Sequence, residues 1–215
     1  MTGQNTSHAV MAQRHEPPDS LDFFPTPPWA TRALVECVLA NQLHQAGAFA
    51  DGVCWEPACG EGHMARPLME YFGTVHATDC HDYGYGQVHD FLMPGGLFHP
   101  VDWIITNPPF VLGKEFIHQG RGLARKGVAV LVRSVFTESK DRYENLFRDD
   151  PPTVIAQFVE RVPMVKGRLD PKASSATAYL WMVWMEHCAP QPFMWIPPCR
   201  KQLERADDYD APEAA

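Results

Sequence analysis

The sequence predicts an α/β fold built on a largely parallel sheet. Three observations carry that expectation. Short β-rich runs alternate with helical stretches through the body of the chain. A glycine loop, Trp55-Glu56-Pro57-Ala58-Cys59-Gly60-Glu61-Gly62-His63, joins a short strand to a helix. The next strand ends on Asp79, 23 residues after Glu56, and a carboxylate at that strand tip is where nucleotide-binding sheets hold a ribose.

The elements follow in order. Pro28 suits a first helical turn with Thr26 near the cap position, and apolar residues at helical spacing predict a helix over Trp29–Gln45. Strands are expected at Val53-Cys54-Trp55, Thr74–Thr78, Gln87–His89, Trp103–Thr106, Gly127–Val132, Val154–Arg161 and Thr177–Glu186. Helices are expected at His63–Tyr71, Lys114–Arg125 and Glu138–Phe147. The two late strands lack a helix between them, which predicts an antiparallel pair at the edge of a seven-stranded sheet. Residues 1–20 read as a disordered lead and residues 201–215 as an acidic, solvated tail, leaving one domain over 21–200.

Composition narrows the function classes. Of 215 residues 45% are apolar, enough for a core and too many for global disorder. No apolar run approaches the roughly 18 residues of a membrane span. The first 20 residues lack a signal-type apolar stretch, and six scattered cysteines form no disulfide framework. Both features point to a cytoplasmic chain. Its net charge of −8 argues against coating nucleic acid by bulk charge, but leaves room for a local basic face.

Gly60 and Gly62 let the backbone turn sharply, either to approach a ligand or to make a tight strand-to-helix turn. The loop does not match the dinucleotide pattern, and acidic Glu56 at its head disfavours a pyrophosphate beside it. It suits a cation. Here the chain resembles the class I methyltransferases, whose first motif is an acidic residue, three residues, then Gly-x-Gly. The resemblance implies a Rossmann-like sheet with helices on both faces and S-adenosylmethionine as cofactor. It places Glu56, Pro57, Ala58, Gly60 and Gly62 around the methionine part and Asp79 on the ribose. Asp90 matches the position that contacts the cofactor's adenine, and reads equally as a helix cap.

The strongest signal is Asn107-Pro108-Pro109-Phe110, directly after an apolar strand. Two prolines remove two donors and stiffen the chain. The carbonyls of Asn107 and Pro108 and the Asn107 amide oxygen are left to accept, as an attacking amino group requires. The bland reading is a proline-rich turn. The element resembles the fourth motif of methyltransferases acting on adenine N6, cytosine N4 or glutamine N5, and Phe110 leans towards adenine. Phe24-Pro25-Thr26-Pro27 resembles the tenth motif of adenine DNA methyltransferases, with Phe24 and Thr26 on the cofactor; alternatively it is a capped helix start with a hydrophobic staple. The motif order is the gamma arrangement, and the small phage and prophage enzymes look most similar.

That resemblance implies methyl transfer to adenine N6 in DNA, with Asn107, Pro108, Pro109 and Phe110 catalytic. The target base is flipped from the duplex and stacked on Phe110, and Asn107 also touches the cofactor. The enzyme would act as a monomer or homodimer, in restriction-modification or protection of injected DNA. Two basic stretches, Lys114 to Arg142 and Arg161 to Lys172, are candidate DNA faces. Within them Arg133 would line the target pocket, and Lys166 and Arg168 would grip phosphate; ordinary solvated helix and loop is the competing reading. Gamma enzymes usually carry a recognition domain after the core, and only about 28 residues follow His187 here, so short or degenerate sites are expected. His and Cys near the glycine loop match no metal spacing, and none is expected to bind metal. The alternatives are an RNA adenine or protein glutamine methyltransferase, and a non-catalytic cofactor-binding subunit.

Overall fold

In the computed structural model, which describes residues 22–43, 49–98, 100–173, 175–188 and 191–210, the apolar runs become strands whose successive side chains enter opposite cores. Among the described residues eight strands form: β1 (Val53–Glu56), β2 (Thr74–Asp79), β3 (Gln87–Val88), β4 (Val101–Thr106), β5 (Ala124–Arg133), β6 (Val154–Phe158), β7 (Tyr179–Met185) and β8 (Gln191–Ile196). They make one sheet in the order β3-β2-β1-β4-β5-β7-β6-β8. From β3 to β5 every pairing is parallel. Ala129 and Leu131 of β5 enter one core, and Val128, Val130 and Val132 enter the other, as a period of two requires.

Each face is covered by helix. α1 (Pro28–Ala33) runs through a π-wound stretch, Leu34–Leu39, into α2 (Ala40–Leu43). Its Trp29, Leu34, Val38 and Leu39 are fully buried on the first face. α4 (Gly113–Leu123) buries Phe116 and Ile117 on the second. The expected helix after the glycine loop shrinks to α3 (Ala65–Leu68), in a run of turns. The helix expected at Glu138–Phe147 becomes α5 (Lys140–Arg142), capped by the Ser139 hydroxyl, and a π-wound turn, Tyr143–Phe147.

Two expectations about the sheet need correction. The antiparallel strand is not at the edge. β7 lies between β5 and β6, antiparallel to both, and all seven of its residues are buried. Trp181 and Trp184 face opposite cores, their indole N–H groups donating to the carbonyls of Ala30 and Asp150. An eighth strand, β8, pairs parallel with β6 and takes the edge. Pro192 has no backbone N–H, which suits only an edge, and Phe193 and Trp195 stay exposed.

The expected solvated tail is the third correction. α6 (Arg200–Leu203) and a 3₁₀ turn, Ala206–Tyr209, pack on the body. The Arg32 guanidinium, only 4% exposed, donates to both Asp208 oxygens at 2.8 Å, to Glu70, and to the Leu203 carbonyl at 2.7 Å. Arg205 adds two bonds to Glu70. The acids at 204–210 are therefore partly consumed as counter-charges inside the fold. Residues 1–20, read as a disordered lead, and 211–215 lie outside the described residues.

Candidate active site

Strand connections leave β1 towards β2 on one side and run from β4 towards β5 on the other. At such a reversal a crevice opens beyond the carboxyl ends of the strands. Glu56 ends β1, Asp79 ends β2 and Asn107 follows β4, so one crevice gathers all three.

The loop between β1 and α3 is shaped by carboxylates. Glu56 Oε1 accepts from the Ala58 N–H at 3.1 Å and the Thr106 hydroxyl at 2.7 Å. Asp79 accepts from the N–H of Gly60 and, with its other oxygen, from that of His81, both at 3.0 Å. Gly60 and Gly62 have φ of +50° and +85°, a region costly for residues with a Cβ. They are packed by protein: a Cβ on Gly60 would lie 2.5 Å from the Phe23 ring, and one on Gly62 would lie 2.6 Å from that of Tyr85. The glycines therefore shape the loop, while Pro57, Ala58 and Cys59 line the crevice.

Glu56 is 1% exposed. Burial pushes its carboxyl up to about 8, against the pull of its two hydrogen bonds. Asp22, Asp79 and Asp90 line the same space. His63 also lines it, and burial lowers its pKa, so the wall carries acids with no fixed positive charge. Asp90 Oδ1 accepts from the Leu92 N–H at 2.9 Å. No helix follows, so this is a turn bond, and Asp90 also faces the crevice.

The segment Asp22–Thr26 forms part of the crevice wall, as a strap. Asn107 ties it down: its Nδ2 donates to the Phe24 carbonyl at 2.9 Å and the Thr26 hydroxyl at 3.1 Å, and approaches the Met164 sulfur at 3.8 Å. Thr26 does not cap α1. Pro27 holds the cap position, with no side-chain capping bond. The Phe110 N–H donates to Asp22 at 2.6 Å, and the Gly167 N–H to the Phe23 carbonyl at 2.9 Å. With its amide nitrogen committed, Asn107 leaves Oδ1 buried and without a partner among the described residues. Rotating the amide would set its oxygen against the Phe24 carbonyl, which can only accept, so that bond selects this orientation.

Most predicted residues meet here. Phe24, Thr26, Glu56, Pro57, Ala58, Asp79, Asp90, Asn107 and Pro109 all line the crevice. Pro108, Phe110 and Arg133 line a hollow on the other side of the Asn-Pro-Pro-Phe ridge, which shares Pro109. The Phe110 ring is not bare: the Arg133 guanidinium carbon lies 3.6 Å from its centroid and Phe24 packs at 5.1 Å. Lys166 and Arg168 line neither space. Their turn docks on the strap through Gly167, and Arg168 is 67% exposed and pairs with Asp170 at 3.3 Å. Sequence reasoning missed Asp22, Phe23 and Tyr83. Phe23 and Tyr83 meet at 4.7 Å between ring centroids, bringing together segments about 60 residues apart, and no local pattern marks that contact.

Comparison with known proteins settles the architecture. A structure from Pyrococcus horikoshii described as a putative RNA methyltransferase superposes with a TM-score of 0.54 at 17% identity, covering 82% of this chain and 94% of that one. The fold is that of the class I methyltransferases. A modification subunit of a putative type I restriction enzyme from Vibrio vulnificus matches with a TM-score of 0.55 at 14% identity, over 89% of this chain and 50% of that one. A type I restriction-modification methyltransferase subunit from Streptococcus thermophilus matches with a TM-score of 0.55 at 8% identity, over 80% and 46%. This chain thus spans about half the length of those two subunits. No family model and no curated protein matches it. Among the described residues, no cluster of three or more His, Cys, Asp or Glu could hold a metal ion, and no helix is long and apolar enough to cross a membrane.

Proposed function

We propose that this protein transfers a methyl group from S-adenosylmethionine to the N6 amino group of adenine in DNA. The observation that carries the reading is the Asn107 side chain: amide nitrogen pinned to the strap, Oδ1 buried and unsatisfied at the end of β4. A buried acceptor without a donor is rare in a finished fold, and an exocyclic amine supplies the missing N–H.

The crevice suits the cofactor. When bound, S-adenosylmethionine supplies a methyl carbon made electrophilic by its sulfonium. Its cationic end matches a wall of carboxylates, and Glu56, short of a counter-charge, gains one from the ammonium. Asp79 and Asp90 keep acceptor lone pairs for ribose hydroxyls and an adenine edge.

The chain's own groups do the rest. The adenine amine is a poor nucleophile because its lone pair is conjugated with the ring. Asn107 Oδ1 and the Pro108 carbonyl accept its two N–H bonds, favour a pyramidal nitrogen, and stabilise the positive charge that develops. Each such charge-assisted bond contributes roughly 1.5–3 kcal/mol. The Pro109 carbonyl is engaged by the Leu112 N–H at 2.9 Å, so it does not compete. Holding nitrogen and methyl carbon in line supplies the remainder, and the proton leaves to water.

The test is incubation with radiolabelled cofactor and DNA, RNA or protein in parallel, followed by nucleoside and amino-acid analysis. Label in N6-methyladenine from DNA is the expected result. Label confined to RNA or to glutamine would overturn the substrate and keep the chemistry; no label in any arm would overturn both.

A further inference from the structure

Across the ridge from the crevice, the hollow is walled by Pro108, Pro109, Phe110 and Phe136 and carries two guanidinium groups, Arg133 and Arg142. Arg32, Arg121, Arg125 and Arg205 each meet a carboxylate. Among the described residues neither Arg133 nor Arg142 forms an ion pair. Arg142 is held instead by the main-chain carbonyls of Val135, Phe136 and Glu138 and lies 4.4 Å over the Phe136 ring. At the end of β5 the Arg133 guanidinium carbon lies 3.6 Å from the Phe110 centroid and its side chain meets the Tyr179 hydroxyl, while Nε is buried with no partner among the described residues. That is the separation of a stacked planar group. Two positive charges without anions, one of them lying where an aromatic ring would stack, describe a site with a placeholder in it.

We infer that Arg133 holds the place of the target base. This rests on the reading of the chain as an adenine methyltransferase. The adenine of a nucleic-acid strand takes the Phe110 face now covered by the Arg133 guanidinium. The displaced Arg133, with Arg142, then grips the phosphate of the same nucleotide. The exchange keeps Phe110 covered in both states and spares Arg133 an unpaired, half-buried charge.

The experiment measures binding of adenosine and of adenosine 5′-monophosphate to the full chain saturated with S-adenosylhomocysteine. Wild-type protein prefers the monophosphate by about tenfold, the gain of one charge-assisted hydrogen bond, and a short oligodeoxyadenylate displaces it. Arg133→Ala binds adenosine more tightly than wild type, because the competitor for the ring is gone, and loses most of the preference. Arg133→Lys, which keeps the charge without the flat group, gains adenosine affinity and keeps the preference. Arg142→Lys tests the second cation without removing it, and shifts only the preference. Unchanged adenosine affinity in Arg133→Ala, an unchanged preference, or failure of the oligonucleotide to compete overturns the inference. Labelled methyl transfer to DNA is followed in parallel with wild-type protein. If DNA is methylated while the nucleotide results are flat, the placeholder falls and the adenine reading stands. If no methyladenine forms, that reading falls as well.

Discussion

The two hollows on either side of Asn107–Phe110 share Pro109 and have opposite chemistry. One is lined by Asp22, Glu56, Asp79 and Asp90 with no fixed positive charge among the described residues. The other holds Arg133 and Arg142 and, among the described residues, no acid. A rigid ridge of two prolines therefore separates a surface suited to a cation from one suited to an anion. The lesson is that the net charge of −8 describes neither surface. Much of the acidity is spent elsewhere, in counter-charges such as Asp208 on Arg32. What governs binding is where the few unpaired charges stand.

The sharpest way to break this comparison is at the ridge. Asn107→Ala should lower methyl transfer by roughly 10²–10³-fold, the loss typical of a removed transition-state hydrogen bond. Cofactor affinity should fall much less, since only the strap contacts to Phe24 and Thr26 are lost. Single-turnover rates set against calorimetric binding separate the two effects, and transfer that survives the substitution breaks the assignment.

Next comes the acid side. Because the folded protein holds the Glu56 proton up to about pH 8, against 4.5 for the ordinary carboxyl, it binds more protons than the unfolded chain between those values. Stability of the empty protein therefore falls as pH rises through that window. A cation binds the charged carboxylate and expels the proton. Affinity for S-adenosylhomocysteine should thus drop as pH falls below 8, by up to about tenfold per pH unit. Glu56→Gln should weaken binding, remove that pH dependence, and raise the thermal midpoint of the empty protein above pH 7. A binding profile still sloped in the variant would assign the proton to another group.

Asp208→Ala probes where the acidity went. It leaves the buried Arg32 with one carboxylate partner fewer and should cost about 3 kcal/mol of unfolding free energy in denaturant titration. Transfer by the folded fraction should be unaffected. A loss under 0.5 kcal/mol would return the tail to the solvated role expected of it.

The smallest effect is expected at Arg168, exposed and already paired with Asp170. If it contacts one backbone phosphate, Arg168→Ala lowers the slope of log affinity for duplex DNA against log salt by about 0.9. An unchanged slope would reject Arg168 as a phosphate contact.

Several features were legible in the sequence. Gly60 and Gly62 stand between a strand and a helix, and positive φ there admits little else. Prolines 108 and 109 end β4 because they cannot donate to a sheet. The buried strand expected at Gly127–Val132 and the position of Asp79 follow from a short continuous apolar run and from strand length. The edge assignment failed because Tyr179–Met185 is apolar at every position. Such a run states burial on both faces but not which neighbours provide it. β8 escaped notice because Gln191 and Pro192 are poor strand formers, and pairing with β6 overrides that.

By itself the sequence determined what depends on short range: the turns that glycine and proline impose, the faces that periodicity assigns, and the residue types at the ends of β1, β2 and β4. Only the tertiary structure decided that Thr26 serves Asn107 rather than a helix, that Arg133 covers Phe110, and that Asp208 closes on Arg32 across 176 residues. These contacts follow from how the sheet orders its strands. A chain's local preferences do not encode that order, because it is set by the joint burial of all the strands at once.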